Sequence, residues 1–135
     1  MVHVLYTECR CSQRIVSHLT ESVRPEGVRE HVLLVGNDAR MEKALSEKSF
    51  AITHVTASEL SARYHVGAAP LFLVVAPDGS IRYSGGYTSA KQGPEPKDLE
   101  LFSEIQSRGI ATALPIFGCA VSAELRALIN PLRLP

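Results

Sequence analysis

The chain has 135 residues, 14 Lys and Arg against 14 Asp and Glu, 45% hydrophobic residues and three cysteines. This is the profile of one soluble domain, and at this length a core forms without disulfides or a structural metal. The charges also balance within each half, 8 against 8 in residues 1–67 and 6 against 6 in residues 68–135, which argues against a basic field for nucleic acid.

Residues 2–6 form an apolar, β-branched run carrying His3, suited to a buried strand. After Cys9-Arg10-Cys11, Ser12 is expected to cap a helix over residues 13–22, with Ile15, Val16 and Leu19 on one face. Residues 32–35 read as a second buried strand, and Asn37 or Asp38 caps a polar helix reaching about Lys48. This βαβα start predicts a parallel pair. Residues 51–56 are a weaker strand, and Ser58 starts a short helix over 59–65 that Gly67 stops. Residues 71–76 and 81–84, joined by Pro77-Asp78-Gly79-Ser80, predict an antiparallel hairpin. A loop over 88–96 leads to a helix over 97–107 ended by Gly109. The tail, residues 110–135, reads as a loop holding Pro115 and Cys119, then a helix from Ser122 to about Ile129. The whole is expected to be one domain, with residues 110–135 a C-terminal extension packed on it.

No apolar run approaches the roughly 18 residues of a membrane span, so none is expected. Residues 1–3 lack the regions of a signal peptide, which places the chain as given in the cytoplasm; a periplasmic or membrane-anchored form with its N-terminal segment removed is the alternative.

Chemistry concentrates in the cysteines. A strand running through Cys9-Arg10-Cys11 into a helix puts sulfur at the positive end of the helix dipole, where thiolate is favoured, and Arg10 adds a positive charge between the two sulfurs. Two cysteines one residue apart can close a small, readily reduced disulfide ring. The plainer alternative is a pair of small buried thiols. Cys119 also precedes a helix and is a possible third thiol, or a small apolar core residue. A second chemistry remains open, in which Cys9, Cys11 and Cys119 with one of His3, His54 or His65 hold zinc, or the thiolates hold Cu(I). Ser84-Gly85-Gly86-Tyr87 lacks the Lys and helix start of a phosphate loop and reads as a turn, so no cofactor is expected. Tyr83 and Tyr87 are candidates to border a substrate groove, and the plainer expectation is that they pack a ring face on the core and keep their hydroxyls in water.

Val66-Gly67-Ala68-Ala69-Pro70-Leu71, then an apolar strand and Pro77-Asp78-Gly79, complete a pattern that resembles the thioredoxin superfamily over residues 2–108. It looks most like the bacterial reductase and peroxiredoxin-type branch. The resemblance implies an α/β, three-layer α/β/α fold with a mixed four- to five-stranded sheet. It further implies that Pro70 is a cis-proline whose loop faces the cysteines, and that the Ala69 backbone pairs with a bound substrate chain. The implied activity is thiol-disulfide exchange with a protein or small-molecule thiol or disulfide partner, with Cys9 attacking and Cys11 resolving, or the reverse, since either cysteine can occupy the exposed turn. The departures are a C-x-C pair in place of C-x-x-C, Glu8 where a Trp is common, and Ser12 where the second cysteine would fall. A binding module of the same fold, metal-holding or redox-inactive, is the competing reading.

Overall fold

A computed structural model describes residues 1–91 and 95–129. The elements follow in the order β1 Val2–Tyr6, α1 Arg10–Glu21, β2 His31–Val35, α2 Ala39–Glu47, β3 Ala51–Val55, α3 Ala57–Tyr64, β4 Ala68–Ala69, β5 Leu71–Val75, β6 Ile81–Gly85, α4 Asp98–Arg108, β7 Cys119–Ala120 and α5 Ala123–Ile129. Five strands form one mixed sheet in the order β3-β2-β1-β5-β6, with β1, β2 and β3 parallel and β5 and β6 antiparallel. The sequence expectation of a parallel start followed by a hairpin is met.

The inner strands β1, β2 and β5 are largely apolar on both sides because both faces of the sheet are covered there, whereas the edge strands β3 and β6 carry exposed Thr53, His54, Arg82 and Ser84. On one face Leu5, Leu34 and Phe72 pack with Ile15 and Leu19 of α1, Leu45 of α2 and Leu101 and Ile105 of α4. On the other, Val4, Leu33, Val35 and Leu71 pack with Leu60 of α3 and Val121 beside β7. The alternation of Val4 and Leu5 between the two cores follows from the two-residue period of a strand. The result is a three-layer α/β/α domain with β1 at its centre, and the C-terminal end of β1 leads directly to the cysteines.

Several boundaries depart from the sequence expectation for local hydrogen-bonding reasons. Ser12 does not cap α1: Cys9 is the N-cap, with φ −98° and ψ 117° and no side-chain cap bond, while the Ser12 hydroxyl accepts from the Tyr6 N–H at 3.0 Å. Helix α3 starts two residues early because Thr56 and Glu59 form a reciprocal capping box, and His65, in the left-handed conformation, closes it before Gly67. Asp38 caps α2 through the Arg40 and Met41 N–H groups. The tail is more ordered than a loop, since β7 pairs antiparallel with β4. The end of the tail, residues 130–135, lies outside the described residues.

Candidate active site at the start of helix α1

Cys9 leaves β1 and turns into α1, its carbonyl accepting the first helical bond from the Gln13 N–H at 3.0 Å. Its side chain is fully buried, and the thiol donates toward the Ala69 carbonyl oxygen at 3.6 Å. Ala69 is joined to Pro70 by a cis peptide bond, and the Cys9–Ala69 contact sets this junction of β4 and β5 against the helix start. Ala69 lies directly opposite Cys119 in the β4–β7 pair, and the Val121 N–H continues that pairing to the Gly67 carbonyl at 2.7 Å. The Ala69 backbone, which the resemblance offers to a substrate chain, is therefore engaged by this chain's own strand. Gly118 makes the approach possible, because a Cβ there would collide with the Ala69 carbonyl.

Three sulfurs from two distant parts of the sequence thus meet, all as free thiols: Cys9 buried, Cys11 exposed and Cys119 half-buried. Burial works to raise the Cys9 thiol, but hydrogen bonds from the Cys119 thiol, the Ser12 and Cys11 backbone N–H groups and the Ser12 hydroxyl outweigh it and bring Cys9 below its ordinary value. Ser12 can donate because its oxygen already accepts from Tyr6. The neighbours move the other way. Burial, with the charge and hydrogen-bonding demand of Cys9, raises Cys11 and pushes Cys119 up to about 12. Ionisation is thus favoured at the buried Cys9 sulfur and disfavoured at its two neighbours.

The flanking thiols face different surfaces. Cys11 lines a cleft of about 440 Å³ with Arg10, Arg14, Pro70, Lys91 and Phe117. Arg14 and Lys91 act to lower Cys11 by their charge; Arg10, expected to tune the pair, is exposed and lines the same cleft. Cys119 lines a shallower depression of about 650 Å³ with Ala120, Ala123 and Arg126. Arg126 holds this region down, donating to the Ala120 carbonyl at 3.0 Å and to the Tyr6 hydroxyl at 3.1 Å.

Behind the first cleft runs a buried polar chain that sequence reading missed. Tyr87 lines the cleft, and its hydroxyl lies 2.7 Å from His3 Nδ1, while His3 Nε2 lies 2.9 Å from Glu30. Because a carboxylate only accepts, Nε2 carries the ring proton and the Tyr87 hydroxyl donates to Nδ1. Arg24 grips Glu30 through Nε at 3.0 Å and Nη2 at 2.7 Å, and Nη2 also reaches Asp98 at 2.7 Å. His18 completes the chain, 2.7 Å from Asp98. Burial lowers His3, whereas His3 and Arg24 hold Glu30 low, and His18 and Arg24 hold Asp98 low, in both cases against burial. The tyrosine expectation is corrected: the Tyr87 hydroxyl is buried on His3, and that of Tyr83 donates to the Gly86 carbonyl at 2.8 Å and accepts from the Leu114 N–H at 3.1 Å.

Cys9, Cys11, Cys119, Ala69 and Pro70 are brought together; the histidines offered as metal ligands are not. His3 is committed to Tyr87 and Glu30, His54 is 3.5 Å from Glu42, and His65 caps α3. Among the described residues no group of three or more His, Cys, Asp or Glu is arranged to hold a metal ion. Among them, too, no helix is long and apolar enough to cross a membrane.

No protein-family model and no curated protein matches the chain. Solved structures do. An uncharacterised conserved protein from Geobacillus kaustophilus aligns with a TM-score of 0.64 at 18% identity, over 90% of this chain and 75% of its own. A hypothetical protein, SMc02350, from Sinorhizobium meliloti 1021 aligns with a TM-score of 0.59 at 17% identity, over 89% of this chain and 76% of its own. These likenesses establish a shared fold.

Proposed function

We propose that the chain is a thiol-disulfide oxidoreductase of thioredoxin-like fold, with Cys9-Arg10-Cys11 as its redox pair beside the Pro70 loop. The observation that carries this reading is the buried Cys9 sulfur, held below its ordinary pKa by converging donors at a helix start and flanked by two further thiols. A structural cysteine needs no such surroundings. Thiolate character resides on Cys9 and access on Cys11. An incoming disulfide R–S–S–R meets Cys11 in the cleft; Cys11 passes its proton to the Cys9 thiolate, displaces RS⁻ and leaves Cys11–S–S–R. The departing RS⁻ takes the proton from Cys9, whose thiolate then attacks the Cys11 sulfur, expels the second RS⁻ and closes a Cys9–Cys11 disulfide. Two electrons pass from the protein to the substrate, and an external thiol returns them. In a reducing cytoplasm the resting form is the trithiol.

Reduction of a small disulfide coupled to glutathione, or of insulin, tests the reading. Turnover that is abolished by Cys9→Ser is expected. Absence of turnover, together with a Cys9 thiolate absorbance that titrates like that of a free thiol, overturns it.

A further inference from the structure

We propose that Cys9 is a buried relay between two accessible thiols, accepting a disulfide from Cys11 at one cleft and passing it to Cys119 at the other. This rests on the thiol-disulfide reading above and extends it to the third sulfur.

The geometry supplies the route. Cys9 lines neither cleft, Cys11 lines the first and Cys119 the second. Cys9 lies near enough to both of the other thiols for its charge to act on each. Strand β7 holds Cys119 at Ala69, the residue whose carbonyl also receives the Cys9 thiol, so one backbone position fixes both sulfurs. Cys119 occupies the place that the resemblance offers to the reactive segment of a substrate chain. The strand is a built-in substrate, docked permanently by backbone pairing and anchored by Arg126.

The transfer balances. With Cys9–S–S–Cys11 closed, Cys119 as thiolate attacks the Cys9 sulfur, the Cys9–Cys119 bond forms, and Cys11 leaves as a thiolate that takes up the proton Cys119 has lost. No net electron is consumed in this exchange. A low-molecular-weight thiol then attacks Cys119 from the second cleft, releasing Cys9 thiolate, and a second equivalent frees Cys119 and carries away the oxidised thiol. Burial continues to hold the Cys119 proton, but once Cys9 is in a disulfide its charge no longer opposes the loss of that proton, while the attraction of Arg126 persists. Cys119 is therefore easier to ionise after Cys9 is oxidised than before.

Trypsin separates all three cysteines, since cleavage after Arg10, Arg14, Arg108 and Arg126 leaves Cys9 in residues 1–10, Cys11 in 11–14 and Cys119 in 109–126. The full chain, fully reduced, is exposed to bis(2-hydroxyethyl) disulfide, quenched in acid at intervals, alkylated and digested. The expected record for the wild type is a 1–10/11–14 crosslink that declines as a 1–10/109–126 crosslink grows. Cys119→Ser is expected to stop at the first crosslink, and Cys11→Ser to form the second directly. A wild-type 1–10/11–14 crosslink that persists, with Cys119 in Cys11→Ser carrying only a hydroxyethylthio adduct, overturns the relay and leaves the oxidoreductase reading standing. Protein in which no sulfur is oxidised overturns both.

Discussion

Ala69 and Cys119 stand opposite each other in a two-residue antiparallel pair, although 49 positions separate them. That pair covers Cys9. It depends on Gly118, whose missing side chain admits the Ala69 carbonyl and the Pro70 ring. Gly118→Ala is expected to force the strands apart and to destabilise the fold by about 1–3 kcal/mol, as overpacking does. The same variant should expose the Cys9 sulfur, so its alkylation under native conditions should accelerate well beyond the wild-type rate. Unchanged stability and an unchanged Cys9 alkylation rate would show that the tail does not seal the site.

The coupling between Cys9 and Cys119 makes opposite predictions for two single substitutions. Cys119 is pushed up to about 12, first by burial and then by the hydrogen-bonding demand and charge of Cys9. Removing that charge in Cys9→Ser should let the Cys119 pKa fall, with burial still holding it above an ordinary thiol. Cys119→Ala should raise Cys9 instead, because one of the donors that outweigh its burial is gone. The thiolate ultraviolet band followed against pH in each variant reads both shifts. Two thiols titrating independently of each other's substitution would contradict the contact.

The cleft that holds Cys11 gathers Arg10, Arg14 and Lys91 and should favour an anionic disulfide over a neutral one of similar size. Charge reversal in Lys91→Glu is expected to raise KM for a carboxylate-bearing disulfide about five-fold, the effect of roughly 1 kcal/mol for a solvent-exposed charge, and to leave KM for a neutral disulfide nearly unchanged. The difference should shrink in high salt. Equal KM changes for both substrates would show that Lys91 shapes the cleft without selecting charge.

The sequence carries the sheet and the Cys9, Cys11 and Pro70 positions because each has a local signature: continuous apolar strands, a strand-to-helix junction, and a proline at a strand start. It does not carry β7. Cys119-Ala120 is too short to show a strand period and becomes a strand only by finding Ala69 across the chain. Ser12 shows the same limit, since a helix-capping residue type is drawn instead to the Tyr6 N–H. Asp98 is still less legible. It sits at the start of α4, where an acidic residue is ordinary on an exposed turn, and nothing nearby reveals that Arg24 and His18 will bury it.

Asp98 is fully buried and receives bonds from both Arg24 and His18. Removing one partner from a buried ionic network leaves the remaining charges desolvated, so Asp98→Ala is expected to cost about 3–5 kcal/mol of folding stability. Asp98→Asn keeps the shape and one acceptor and should cost less. Urea denaturation of the two variants beside the wild type measures the difference. An alanine variant within about 0.5 kcal/mol of the wild type would be the behaviour of an ordinary surface position.

The network also fixes the sign of the acid response. His3 is lowered from its unfolded value of 6.5, mainly by burial, so below that pH the unfolded chain binds a proton that the folded chain refuses. Stability is then lost as pH falls from 6.5 toward the folded-state pKa. Glu30 and Asp98 are lowered from 4.5 and 3.8, so their stabilisation is full above those values and is lost as pH falls through their folded-state values. The three contributions share one direction and act in two windows. The denaturation midpoint should therefore decline in a first stage below about pH 6.5 and in a second across the carboxylate range. A nuclear magnetic resonance titration of the His3 ring assigns the first stage. A ring that takes up its proton at or above 6.5 would show that Glu30 outweighs burial and would reverse the sign of the His3 contribution.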